Sequence, residues 1–263
     1  MNRHALITEK KGAGPEKSDQ KAPPSPAPSP SAPITTLDSG LARIYTHLHP
    51  LLVLSLFFFR FQATVEDPVT TLTNGLAPLG ILQIIYVVLC LPATGSSTPS
   101  SAAKPTPKPS RGKKTQAGKG DGGVAGRTVP AMLSHLLTTL LATPLLTIIL
   151  ILFGAPVTSK LWETLLCAAH MSALAIMPLV YVHGVDEGRW WEVASLMSPV
   201  DEVFGAAIGT MVGAWAGAVP IPLDWDREWQ KWPVTIVTGA YMGWAVGKLL
   251  GGTLLRGKRI DLG

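Results

Sequence analysis

The sequence predicts an all-α, polytopic membrane protein with six transmembrane helices, a disordered N-terminal tail and a disordered loop between helices 2 and 3. Three observations carry this. Of the 263 residues, 47% are hydrophobic and only 15% charged, where a soluble domain carries about 25% charged residues. The apolar residues gather into blocks, each close to the ~20 residues that span a ~30 Å hydrocarbon core. The 26 glycines and 23 prolines are unevenly placed: prolines crowd the polar segments, and glycines recur at fixed spacing in two of the apolar ones.

Residues 1–45 form the predicted tail. Seven prolines fall between Pro15 and Pro33 in a Ser/Ala background, which buries too little apolar surface to offset its ordering entropy. There is no early apolar core of a cleavable signal peptide. Residues 46–91 carry helices 1 and 2. The first apolar block runs from about His47 to Val65, where Arg60 lies near enough to the end to snorkel outward. The second runs from about Leu72 to Leu91. His49, Pro50, Pro78 and Gln83 interrupt both.

Residues 92–130, with six prolines and seven Lys/Arg, read as a second disordered segment. Residues 131–253 carry helices 3 to 6, over about Ala131–Phe153, Leu161–Val182, Asp201–Ile221 and Pro233–Thr253. Residues 254–263 form a basic tail.

Orientation follows from the excess of Lys and Arg on cytoplasmic loops. With the N-terminus in the cytosol, seventeen of the 22 basic residues fall on the cytosolic side and Lys160, Arg227 and Lys231 on the other. Arg60 and Lys248 lie within spans. Both termini are therefore expected in the cytosol, and the formal charge of +5 reports topology rather than a nucleic-acid surface. Cys90 and Cys167 then sit near opposite membrane faces, too far apart to bond.

Helix 5 contains Gly205, Gly209, Gly213 and Gly217, and helix 6 contains Gly239, Gly243, Gly247 and Gly251. Residues four apart share a helix face, so each run is a groove into which a backbone can settle, the usual packing device between helices in lipid. Two readings stay open: helices 5 and 6 pack on each other, as consecutive helices usually do, or a groove docks another subunit. At the start of helix 5, Ser198 reads as the N-cap and Pro199 as the first turn, with Asp201 and Glu202 near the positive end of the dipole.

The segment joining these helices, Ile221 to Pro233, concentrates charge and tryptophan. Asp224, Trp225, Asp226, Arg227, Trp229, Gln230 and Trp232 form a candidate recognition loop on the side away from the cytosol. Trp225, Trp229 and Trp232 would share one face if helical. The same residues also suit an aromatic belt at the membrane interface. Asp224 and Asp226 alone are too few oxygen ligands for a divalent cation, so no metal is expected. His183–Glu192 reads as an interfacial turn. His170, inside helix 4, is a possible intramembrane polar site, since ionisable residues in spans are functional suspects; a neutral imidazole bonded to a neighbouring helix is the simpler reading. No phosphate loop, zinc-ligand spacing or nucleophile elbow occurs, and no cofactor is expected.

The stretch from Gly205 to Gly252, above all the GAW-G-PIPLDWDR-WQ-WP core between Gly213 and Pro233, resembles the PIG-F family of glycosylphosphatidylinositol (GPI) anchor biosynthesis, including its fungal counterpart. Weaker likeness extends through LLCAAHMSALAIMPLVYVHGVD, FQATVEDPVTTL and LQIIYVVLCLP. The resemblance implies a multi-pass endoplasmic reticulum membrane protein without catalysis of its own. Its implied partners are the catalytic subunits that add ethanolamine phosphate to the second and third mannoses of the GPI precursor. It places Asp224–Trp232 on the side of their metal-dependent domain, where contact with the GPI precursor or phosphatidylethanolamine is conceivable. The alternatives are an enzyme modifying lipid head groups and a lipid transporter or scramblase.

Overall fold

A computed structural model describes residues 31–95, 123–223 and 225–260. Most of the expected disordered segments, within residues 1–30 and 96–122, lie outside the described residues, as do Asp224 and residues 261–263. The described residues are all-helical. The helices are α1 (Gly40–Phe58), α2 (Phe61–Glu66), α3 (Pro68–Cys90), α4 (Val124–Leu152), α5 (Leu161–His183), α6 (Glu187–Ala194), α7 (Glu202–Ala218) and α8 (Val234–Gly252). Four of them, α1, α3, α4 and α5, are long and apolar enough to cross a membrane. α7 has 17 residues, and the glycines of α8 dilute its hydropathy.

The early helices differ from the blocks seen in the sequence, and α4 begins at Val124, inside the segment 92–130 expected to be disordered. α1 starts at Gly40, where Ser39 Oγ accepts from the Ala42 amide, inside the segment expected to be tail. It runs through Pro50 without a break and ends at Phe58, and the chain restarts as the short α2. Asp67 caps α3 by accepting from the Thr70 amide. The Thr70 side chain and then its amide hold the Asp67 carboxyl below the ordinary range, and α3 continues past Pro78. Proline acts differently in α4 and α5. Each helix widens into a π turn, Thr138–Ala142 and Ser172–Ile176, two residues before Pro144 and Pro178. Proline lacks an amide and its ring presses on the carbonyl four residues back; one extra residue in the turn relieves that pressure.

The six longer helices alternate in direction. One end of the bundle, here the tail face, gathers residues 31–39, the end of α3, the end of α5, the start of α7 and residues 253–260. Backbone bonds knit it: Leu37 to Cys90, Thr94 to Tyr181, and the pair Val200 N to Lys258 O and Gly257 N to Val200 O. The opposite end, the loop face, carries the α1–α2 bend and the α7–α8 connection. Two clusters of buried side chains fill the interior. One contains Phe57, Leu72, Leu79, Met171, Tyr241 and Trp244. The other, which includes residues of the tail face, contains Tyr86, Cys90, Leu91, Tyr181 and Val203. Cys90 and Cys167 are both buried and free.

Candidate functional site

The two glycine runs close on each other. A Cβ on Gly209 would lie 2.8 Å from Gly247 Cα, one on Gly213 2.8 Å from Gly243 Cα, and one on Gly251 3.0 Å from Gly205 Cα. Gly217 faces the Thr235 carbonyl and Gly239 the Gly213 carbonyl. All eight glycines thus build one seam between α7 and α8, and no side chain larger than hydrogen fits along it. The inward faces of both grooves are occupied by each other.

At the tail-face end of the seam lies an ion pair the sequence did not reveal. Lys248, 5% exposed, bonds Glu202, whose side chain is 13% exposed. Tyr86 of α3 donates its hydroxyl to Glu202 Oε1 at 2.9 Å, and the Lys248 ammonium stands 3.6 Å from the centre of the Tyr86 ring. His49 of α1 stacks on Tyr86 at 4.4 Å and meets the edge of Trp244 at 5.4 Å. Four helices therefore converge on one charge pair, each partner lowering the cost of keeping the other out of water. The signal available beforehand was a lysine inside a span; Glu202 had read only as a complement to the helix dipole.

Asp201, not Ser198, caps α7. Its Oδ1 accepts from the Val203 and Phe204 amides, both at 2.9 Å, and its Oδ2 from Ile34 at 2.9 Å. One side chain thus starts a helix and tethers the segment before α1.

His170 sits where α3 leaves room for it. Its Nδ1 lies 2.7 Å from the Tyr241 hydroxyl and its Nε2 3.0 Å from the Leu72 carbonyl. The carbonyl can only accept, so Nε2 carries the hydrogen and Nδ1 accepts from tyrosine. A Cβ on Gly75 would come within 3.2 Å of this ring, as one on Gly80 would come within 3.0 Å of His135. Glycines of α3 therefore seat imidazoles from α5 and α4.

The α7–α8 connection is organised by Gln230, which is 9% exposed. Its Nε2 donates to the Pro220 and Leu223 carbonyls at 2.8 and 2.7 Å, and its Oε1 accepts from the Arg227 amide at 3.0 Å. Helix is confined to one short turn, Glu228–Gln230, so the three tryptophans do not share a helical face. Trp225 and Trp229 instead meet edge to face at 6.0 Å, and Trp232 packs against the core. Asp226 adopts a left-handed backbone with φ 50°, a conformation aspartate tolerates better than most residues. Asp226, Arg227, Glu228, Gln230 and Lys231 border an open basin of about 370 Å³. Lys231 lies 3.8 Å from Glu228. Among the described residues, no three His, Cys, Asp or Glu side chains converge as metal ligands would.

Comparison with known proteins follows the same residues. The family profile described as "GPI biosynthesis protein family Pig-F" matches residues 48–252. The protein named "Glycosylphosphatidylinositol anchor biosynthesis protein 11" from Aspergillus fumigatus is 47% identical, over 86% of this chain and 85% of its own length. Its namesake from Neurospora crassa is 44% identical, over 86% and 80%. The one from Yarrowia lipolytica is 35% identical, over 81% and 84%. No solved structure matches the chain significantly. The matched region runs from the first helix through the glycine seam and the charged loop, and on this agreement the chain belongs to the Pig-F family of GPI biosynthesis proteins.

Proposed function

We propose that this protein acts in the endoplasmic reticulum membrane as a non-catalytic subunit supporting the transferases that add ethanolamine phosphate to the second and third mannoses of the GPI precursor. In this reading α7 and α8 cross the membrane as well, giving six spans with both termini in the cytosol, and the loop around Gln230 faces the lumen. The observation that carries the reading is how the interior polar groups are used. Lys248 pairs with Glu202, Glu202 accepts from Tyr86, and both nitrogens of His170 are engaged between helices. These groups are committed to holding the bundle together. Asp226, Arg227 and Glu228, by contrast, are exposed around the basin at the loop face, where a partner or a lipid head group can reach them.

Affinity purification in mild detergent tests this: a large multi-pass transferase should accompany the protein. In parallel, the purified chain alone, given phosphatidylethanolamine and a GPI precursor, should show no turnover; turnover would favour an enzyme using Asp224 and Asp226. For the loop, Asp224→Ala with Asp226→Ala should reduce ethanolamine phosphate addition in cells. Normal addition would remove the loop from the mechanism.

A further inference from the structure

The inward faces of the glycine seam are closed, but its outer flank is not. Along one side of α7 and α8 runs a trough of about 770 Å³, within the ~300–1,000 Å³ of typical ligand sites. Ile208, Val212, Met242, Val246 and Leu250 form its walls and the flanks of the glycines its floor. Val212, Met242 and Val246 are each about half exposed. Because the glycines bring the two backbones so close, the floor is a shallow crease. A long, thin apolar occupant follows such a crease better than a helix, whose axis stays ~8–10 Å from its neighbour's.

The trough has a charged mouth at the tail face only. Lys258 and Arg259 line it there, and among the described residues no acidic one lines it. The mouth is built rather than trailing. Lys258 O accepts from Val200 N at 2.8 Å, and Gly257 N donates to Val200 O at 2.7 Å, with Gly257 at φ 75° turning the chain back. Arg259 donates to the Met197 and Ser31 carbonyls at 2.9 and 3.0 Å. These neutral acceptors fix its position without cancelling its charge. Among the described residues, Lys258 has no ion-pair partner. Basic groups at the cytoplasmic mouth of a cleft between spans are a recurring recognition element for anionic lipid head groups.

We propose that this trough holds one anionic phospholipid. Its phosphate and net negative charge rest on Lys258 and Arg259, and an acyl chain lies along the outer flank of the seam. The site is separate from the transferase-support reading and rests only on the proposed topology, with α7 and α8 in the bilayer and the tail face cytosolic. It gives the protein a lipid contact on the opposite end from the charged loop.

The test uses the full chain in nanodiscs of phosphatidylcholine and phosphatidylserine in equal parts, released and weighed by native mass spectrometry. Wild type should retain one phosphatidylserine in preference to phosphatidylcholine. Lys258→Gln should lower that retention about tenfold, the scale of one charged hydrogen bond, and Lys258→Arg should restore it. Val246→Trp, which fills the trough without touching the mouth, should lower it too. Carbonate-resistant membrane association of every variant separates loss of the site from loss of insertion. Retention in proportion to bilayer composition, or retention unchanged in Lys258→Gln or Val246→Trp, would overturn the proposal. So would a photo-crosslinker at position 242 that captures a protein segment, rather than lipid, in native membranes.

Discussion

With Glu202 in place, the Lys248 ammonium is neutralised by the ion pair and faces the Tyr86 ring; remove either partner and the other stays buried and uncompensated. Breaking a buried pair costs about 3–5 kcal/mol, whereas replacing both partners with apolar residues is often near neutral. Lys248→Met should therefore sharply lower the melting temperature in detergent, and Glu202→Leu with Lys248→Met should recover much of the loss. Additive losses in the double variant would show that the two do not act as a pair. A similar argument holds for Tyr241: Tyr241→Phe leaves His170 Nδ1 buried without a donor, at about 1–3 kcal/mol, read in the same melting assay. At this scale the sequence exposed half of each interaction. A lysine and a histidine within apolar runs are visible by eye, but their partners lie 46 and 71 residues away, and spacing of that length carries no signal.

Between elements, the seam makes opposite predictions for glycines of the same composition class. Gly209→Ala sets a methyl against the Gly247 backbone, and neither helix can yield without parting from the other. The variant should lose stability by more than the ~1–3 kcal/mol of ordinary overpacking and elute as aggregate on size exclusion. Gly126→Ala in α4 meets nothing within 4 Å and should be neutral or stabilising by up to about 1 kcal/mol. The period-four spacing made the seam's existence legible, and the structure adds that each groove is the other's filling. A loss of transferase association in Gly213→Leu consequently speaks to docking only if the helix pair still folds. The loop was less legible. Gln230 looked like one of seven candidate loop residues, because its role rests on the Pro220 and Leu223 carbonyls, which every residue type supplies. Gln230→Ala should loosen residues 219–227, seen as faster amide exchange there, while the melting temperature changes little.

Across the whole molecule, the tail face is a set of long-range ties, and Asp201 holds one that can be cut cleanly. Asn at this position keeps a good cap for α7 but cannot offer carboxylate oxygens to both the helix amides and Ile34. Asp201→Asn should speed amide exchange over residues 31–39 and leave the α7 amides protected; uniform acceleration would mean the cap itself was lost. That the described residues are all-helical, with helices apolar and long enough to cross a membrane, was readable because bilayer thickness imposes a length on such blocks. The start of α1 at Gly40 was not, because capping by Ser39 and the tie from Leu37 to Cys90 depend on where the rest of the chain lies.

The seam also imposes a schedule on synthesis. α7 leaves the ribosome carrying a bare backbone groove and a glutamate with no counter-charge, and both wait for α8, whose glycines and Lys248 are translated tens of residues later. Until then the nascent chain displays what a membrane quality-control protease or chaperone is suited to grasp. A stop codon anywhere between Trp232 and Lys248 would make that exposure permanent. The shortened product should be cleared rather than accumulate as a partly working protein.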